Sequence, residues 1–293
     1  MQRAHAAMLP DGRRLHLQHG PIDLIVEANG PGRDAAYTRA TFRFGSILDE
    51  LVAELPALRS PLAAQTPHRN GLPRPGPFAG TTARRMGNAV RPFADFITPM
   101  AAVAGAVADE ILAEIAADPA IRRAYVNNGG DVALHLAPGE SFTAAVAASP
   151  PARATITPEM GVGGIATSGW GGRGLRGSAT APAIRRAYVH SGGVAAAATT
   201  ASASAAAADA AATLIANAVD LPDHPGIRRV PACDLSPDSD LGDRPVTTAV
   251  PVLTGAQRRR ALNAGLFRAQ SYRGRGLIAA AWLVLQGETR ATP

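Results

Sequence analysis

An aspartate and a threonine stand four residues apart in the segment ADAAAT, as Asp209 and Thr213. If the segment is helical, positions four apart lie on one face. A carboxylate and a hydroxyl on that face supply two hard oxygen ligands, which suit Mg²⁺. An exposed polar pair on an alanine-rich helix has the same spacing, and the spacing alone favours that second interpretation.

A second candidate is the segment NNGGD, which contains Asn128, Gly129, Gly130 and Asp131. The flanking segments IRRAYV and DVALHL predict a β-hairpin with the glycines at its tip. Because glycine has no side chain, such a tip lets the backbone come close to a ligand. Asn-Gly is also an ordinary hairpin-turn signal, and the pattern alone favours a turn without a ligand.

A third candidate is the glycine-rich segment GIATSGWGG, with Thr167, Ser168 and Gly169 at its centre. Small residues there could line a cleft and offer backbone N–H groups to phosphate oxygens. The segment lacks the Gly-Lys-Ser/Thr of a phosphate-binding loop and the Gly-x-Ser-x-Gly of a nucleophile elbow. A loop without a catalytic role remains an alternative.

Other reactive side chains exclude several kinds of site. The seven histidines form no His-x-x-x-His pair, which argues against a zinc protease. Cys233 is the single cysteine, so an intrachain disulfide and a cysteine-based zinc site are excluded. No base that could activate it is visible. The aspartates between 234 and 243 lack the glycine and closing glutamate of a calcium loop, and turn or cap roles are expected.

The elements that must position these residues are strands and helices in irregular order. Strands are predicted within 13–28, joined at Gly20-Pro21, in the two hairpin segments and in VTTAVPVL. Helices are predicted over Asp34–Leu55, Pro99–Ala116, the second half of Ala195–Ala212, with Ser202 or Ser204 as its cap, and Gly255–Arg275. GLIAAAWLVLQGE is a buried strand or helix. The order indicates an α+β fold with mixed β-sheets packed against helices. We expect one domain over 1–293, with an exposed Pro/Gly-rich loop over 60–77.

Composition limits the class of protein. With 46% hydrophobic and 18% charged residues, the 293-residue chain is globular. It contains no lysine, and its net charge of +6 comes from arginines interleaved with acids, without an aromatic stacking pattern. A solvated surface is therefore favoured over nucleic-acid binding. Neither a signal-peptide run nor a membrane span is seen, so we expect a soluble, cytoplasmic protein that does not bind membranes.

One eight-residue segment, PAIRRAYV, occurs twice, at Pro119–Val126 and at Pro182–Val189. The first copy runs into NNGGD, whereas the second is followed by HSGGV and has lost the aspartate. We interpret the second copy as a local duplication rather than half of a shared site. Tyr125 and Tyr188 should therefore occupy different environments.

Taken in order, AGAVAD (Ala104–Asp109), NNGGD, IATSGW and ADAAAT resemble the motifs of the ApbE-like superfamily. The resemblance covers nearly the whole chain, and both chain ends resemble one cytoplasmic, largely uncharacterised branch. Well-known members of the superfamily transfer FMN from FAD to a Thr or Ser of a target protein, using Mg²⁺. Members of the branch are linked to sulfur assimilation.

The resemblance implies a role for each candidate residue. Asp209 and Thr213 correspond to the side-chain metal ligands, for Mg²⁺. The turn residues Asn128, Gly129, Gly130 and Asp131 correspond to the segment near the flavin or nucleotide, FAD or FMN. Thr167, Ser168 and Gly169 correspond to the binding loop. Gly105 and Asp109 fall on the family's Lys-Gly-Tyr-Ala-Val-Asp motif.

Two departures from the family pattern leave the activity open. The family's lysine falls at Ala104, and the transferases' His-x-x-Asp-Pro segment is absent. Three hypotheses follow: an Mg²⁺-dependent flavin- or nucleotide-handling transferase, a non-catalytic flavin- or nucleotide-binding module that serves a protein partner, and a scaffold without a ligand.

Overall fold

The computed structural model describes residues 3–62, 77–146, 152–169 and 197–292. Most of the predicted 60–77 loop lies outside the described residues. So do the second copy of the repeat and Tyr188, so the comparison of the two copies stays a prediction.

The chain alternates strands and helices irregularly. The strands are β1 His5–Met8, β2 Arg14–His19, β3 Ile22–Asn29, β4 Arg123–Asn128, β5 Asp131–Leu136, β6 Phe142–Val146, β7 Ala152–Ile156, β8 Gly164–Ser168, β9 Ala197–Ser202, β10 Arg228–Pro231, β11 Pro245–Ala249, β12 Ala280–Leu285 and β13 Glu288–Ala291. The helices are α1 Arg33–Ala53, α2 Leu55–Leu58, α3 Thr81–Val90, α4 Val103–Ala116, α5 Ala205–Ala218, α6 Ala232–Leu235 and α7 Gly255–Gly274. The predicted α+β class is confirmed.

The chain divides into two compact units. The first contains Met1–Phe142, Thr155–Ala166 and Ser202–Ala210, and the second contains Thr143–Ala154, Thr167–Ala201 and Ala211–Pro293. The division passes through α5, so the predicted metal ligand Asp209 falls in the first unit and Thr213 in the second.

Antiparallel strands in the order β1-β2-β3-β4-β5-β8 form the sheet of the first unit. Burial alternates along β2 and β3, with Leu17, Leu24 and Val26 fully buried. That alternation is typical of a sheet with one face on the core. The two strands meet at Gly20, whose φ of +57° suits a tight turn, as predicted.

Helix α1 covers this core with Tyr37, Phe44, Ile47 and Leu51, which recur at helical spacing. The prediction over Asp34–Leu55 is confirmed to within two residues. Helix α1 ends at Ala53, and Pro56 lies in the first turn of α2, where a helix does not need the N–H group that proline lacks.

Helix α4 is preceded by one 3₁₀ turn over Pro99–Ala102, within the predicted helical segment. Ile111 and Ile115 are fully buried on its inner face. At Gly105 the helix meets the start of α5 so closely that a Cβ atom would lie 2.2 Å from the carbonyl oxygen of Ala205. The glycine is therefore required by backbone-to-backbone contact.

The second unit has its own antiparallel strands, in the order β9-β12-β13. Helix α7 packs on β12, and at Gly265 a Cβ atom would lie 2.7 Å from Leu283. Thr254 and Gln257 begin α7 with a capping box, in which each side chain bonds the other's backbone N–H. The GLIAAAWLVLQGE segment, open between strand and helix, forms strand β12.

The alanine-rich stretch from residue 195 changes structure part-way. Its predicted second half is helical, as α5, but Ala197–Ser202 is strand β9 despite the weak strand preference of alanine. Pairing with β12 supplies the backbone partners, including the N–H of Ala279, which donates to Ala201. Tertiary pairing thus outweighs local preference here.

Replacing Gly105 by alanine should destabilise the protein by about 3 kcal/mol, because the new methyl group meets backbone that cannot move aside. Gly45, exposed on α1 with no neighbour within 4 Å of a Cβ atom, is the matched control. Gly45→Ala should stabilise by about 0.5–1 kcal/mol. Urea denaturation measures both, and equal effects of the two substitutions would contradict the close contact.

Candidate functional site

One peptide group at the start of α4 is held at both ends by predicted site residues. The carbonyl oxygen of Ala104 accepts a hydrogen bond from Nδ2 of Asn128, at 3.0 Å. The N–H of Gly105, in the same peptide group, donates to Oδ2 of Asp209, at 3.1 Å. Hairpin tip, α4 and α5 are therefore joined at a single peptide group within the first unit.

A second carboxylate, that of Asp109 on α4, binds the first turn of α5. Oδ1 and Oδ2 of Asp109, on α4, accept from the N–H groups of Ala205 and Ala206, at 3.0 and 2.9 Å. The next N–H, of Ala207, donates to Oγ of Ser204 at 3.2 Å, which confirms Ser204 as the cap. The first three N–H groups of α5 are thus all satisfied.

Helices α4 and α5 therefore cap each other. Each contributes an aspartate from inside the helix to the N-terminal turn of its neighbour, where a negative charge is stabilised by the helix dipole. Asp109 and Asp209 are both about nine-tenths buried. Burial raises the pKa of Asp109 above its ordinary value, and the two backbone hydrogen bonds offset only part of that effect.

The predicted hairpin is confirmed, and its two glycines are exposed at the tip. Gly129 and Gly130 have φ values of +64° and +116°, which disfavour other residues there. The N–H of Gly130 donates to Oδ1 of Asn127. A Cβ atom on either glycine would meet nothing within 4 Å, so the backbone is open to an approaching molecule. Asp131, which faces Asn128 across the turn, is only 2% exposed.

Four of the predicted binding-loop and metal residues lie in the second unit. Ser168 is buried at the end of β8, and Oγ1 of Thr213 donates to its Oγ at a long 3.5 Å. Thr167 is half-buried beside it, and Gly169 follows with a φ of +142°. The hydroxyls of Ser168 and Thr213 are therefore close together, and Thr167 and Gly169 are the chain neighbours of Ser168.

Asp209 and Thr213 are the two oxygen donors on α5 that could hold a divalent metal. Asp209 and Thr213 lie four positions apart on α5, so the helix puts both on one face. Among the described residues, no three His, Cys, Asp or Glu side chains are grouped to share an ion. One carboxylate and one hydroxyl fit Mg²⁺, which takes its remaining ligands from water and substrate phosphates. They do not fit a metal that needs several nitrogen or sulfur ligands.

Sequence reasoning placed Asp109 in a family motif but did not find what it does. Its partners, Ala205 and Ala206, lie 96 and 97 residues away along the chain, so no local sequence pattern signals the contact. Glu110, the next residue, was also missed. It is 5% exposed and accepts from Nε of Arg43, Nε of Arg85 and the hydroxyl of Thr81. Burial raises the pKa of Glu110, but these hydrogen bonds outweigh it and leave the pKa lowered.

Cys233 lies apart from these residues in the chain. Its Sγ donates to Oδ1 of Asp243 at 3.2 Å, and that hydrogen bond raises the pKa of the thiol. Since the thiolate is the reactive form, this environment disfavours a nucleophilic cysteine.

A family model described as AbpE bacteria matches residues 6–291. The chain belongs to this family. The resemblance seen in the ordered motifs is thereby confirmed at the level of the family. None of the curated proteins compared with the chain matches it.

Two solved structures align over nearly the whole chain. The apo form of the flavinyl transferase ApbE of Pseudomonas stutzeri is 13% identical, with 100% of this chain and 95% of that chain covered and a TM-score of 0.46. The flavin transferase ApbE of Vibrio cholerae is 11% identical, with 99% and 97% covered and a TM-score of 0.45. In the part of the family member that the structure describes, no helix is long and apolar enough to cross a membrane.

The raised pKa of Asp109 makes a prediction about stability and pH. The folded state binds the proton of Asp109 more tightly than the unfolded state does. The stabilisation from this proton is therefore largest below pH 3.8, and it is lost as the pH rises through the pKa that Asp109 has in the folded state. Asp109→Asn keeps an oxygen acceptor but cannot titrate.

The difference in unfolding free energy, wild type minus Asp109→Asn, should therefore fall as the pH rises from 3.8, in urea titrations at a series of pH values. A difference that rises over that range would show that the pKa is lowered instead. Asp109→Ala removes both acceptor oxygens. It should lower the free energy of unfolding by roughly 1–2 kcal/mol more than Asp109→Asn does, as the loss of a helix cap does.

Proposed function

We propose that this protein is an Mg²⁺-dependent transferase that handles a flavin or nucleotide. The observation that carries the proposal is the buried carboxylate of Asp209, fixed through Oδ2 on the N–H of Gly105. The hydrogen bond sets the orientation of the carboxyl group. A buried acid on the same helix face as Thr213 is what an oxygen-liganded metal requires.

Each further residue has a stated part in the proposal. Asp209 and Thr213 would hold the metal, and a bound Mg²⁺ neutralises charge on the phosphate oxygens of FAD or a related nucleotide. The exposed backbone of Gly129 and Gly130 would approach the ligand, and Asn128 would keep the turn fixed on α4. Thr167, Ser168 and Gly169 would contribute hydroxyl and N–H donors to the phosphates.

Family membership supports the proposal, because the residues to which it assigns roles belong to the motifs that carry the family resemblance and lie within the matched range. The departure at Ala104 bears on it as well. Where the family has a lysine, this chain has the methyl side chain of Ala104, whose carbonyl oxygen accepts from Asn128. A non-catalytic binding module is therefore the second candidate.

The proposal is tested by incubating the purified protein with FAD and Mg²⁺, with water as the acceptor of the transferred group, and following FMN and AMP by chromatography. We expect product to form and Asp209→Asn to lower its rate at least ten-fold, since changes at a metal's surroundings cost about 10–100-fold. Asparagine keeps an oxygen for the N–H of Gly105, so the loss would reflect the missing charge rather than unfolding. Asp223→Asn, an exposed aspartate, is the matched control.

Three outcomes separate the hypotheses. Turnover that depends on Asp209 supports the transferase. Binding of FAD, FMN or ATP without turnover replaces it by the binding module. A well-folded protein with no affinity for any of the three leaves only a scaffold and overturns both.

A further inference from the structure

Three arginines line a pocket of about 690 Å³ in the first unit, away from the candidate functional site. They are Arg13, just before β2, Arg33, the first residue of α1, and Arg122, just before β4. The remaining lining residues are Ala28, Asn29, Gly30, Pro31 and Asp34. Three guanidinium groups thus line one concave wall, and the volume is that of a small-molecule site.

Each arginine pairs with a nearby carboxylate and keeps unused donors. Arg13 pairs with Glu27 at 2.9 Å, Arg33 with Asp34 at 3.1 Å, and Arg122 with Glu140 at 2.9 Å. These are surface ion pairs, each worth under about 1 kcal/mol, so they orient the side chains at little cost. A guanidinium carries five N–H donors, and these contacts use one or two of them.

The pocket wall is rigid where the chain enters α1. A Cβ atom on Gly30 would lie 2.1 Å from the carbonyl oxygen of Ala120, and φ at Gly30 is +150°. The N–H of Arg122 donates to the carbonyl oxygen of Asn29, which closes the same corner. Below it, the hydroxyl of Tyr37 accepts from the N–H of Ala28 and donates to the carbonyl oxygen of Arg13. The arginines therefore project from a fixed backbone.

This pocket and the glycine turn lie at opposite ends of the same two strands. Asn29 pairs with Arg123 at one end of β3 and β4, while Leu24 pairs with Asn128 at the other. At 3.4 Å per residue, the ends of β4 are about 17 Å apart. The arginine pocket is thus a separate place, and its occupancy does not depend on the proposed function.

We propose that the arginine pocket binds a small phosphate-bearing anion. Guanidinium groups match phosphate oxygens in bidentate geometry, and three of them around one concave wall favour a ligand with more than one negative charge. A carboxylate anion presents related chemistry but less charge per group, so phosphate is the favoured ligand.

Calorimetric titration with inorganic pyrophosphate, with citrate as the carboxylate comparison, tests this proposal. We expect saturable binding of pyrophosphate that is weakened at least ten-fold in the double variant Arg33→Gln/Arg122→Gln. Arg84→Gln, which removes an exposed arginine on α3, should leave the affinity unchanged. Asp209→Asn should also leave it unchanged, because the metal site lies elsewhere.

Four results would overturn the proposal. They are no saturable binding, equal weakening by Arg84→Gln, tighter binding of citrate than of pyrophosphate, and loss of binding in Asp209→Asn. The last result would assign the anion to the candidate functional site. Circular dichroism shows whether the glutamine double variant is folded. If it is not, Arg33→Lys/Arg122→Lys takes its place: this variant keeps the charge and should retain part of the affinity for pyrophosphate.

Discussion

The peptide group between Ala104 and Gly105 is the point on which the first unit's candidate residues depend. Its carbonyl oxygen and its N–H are bound by Asn128 and Asp209, so the hairpin tip and α5 are fixed relative to α4. Asp109 completes the arrangement by binding the first two N–H groups of α5. Burying two carboxylates is costly unless they are hydrogen-bonded, and here helix N-termini supply the donors.

This mutual capping joins the fold to the proposed chemistry. The carboxylate of Asp209, which caps α4, is also the proposed metal ligand. Its hydrogen bond with the N–H of Gly105 therefore fixes the orientation of the proposed metal ligand. Gly105 allows the arrangement, because a side chain there would push the starts of the two helices apart. Substitution of Gly105 or Asp109 should therefore lower both the stability of the protein and the precision with which Asp209 is placed. Asp209→Asn should instead remove the charge of the proposed metal ligand without a matching loss of stability.

The sequence predicted those parts of the structure that depend on local pattern. The NNGG hairpin, α1, α7 and the helical spacing of Asp209 and Thr213 all follow from periodicity and turn residues. The contact of Asp109 with Ala205 could not be predicted, because it joins residues far apart in the chain. Strand β9 shows the same limit, since pairing with β12 overrides the weak strand preference of alanine.

Amide hydrogen exchange by NMR tests the mutual capping most directly. The account predicts that the amides of Gly105, Ala205 and Ala206 exchange slowly, although they lie in first turns, where amides usually lack helical partners. Asp209→Ala should speed exchange at Gly105 while Ala205 and Ala206 stay protected, and Asp109→Ala should do the reverse. Exchange at all three amides as fast as in an unstructured peptide would contradict the account.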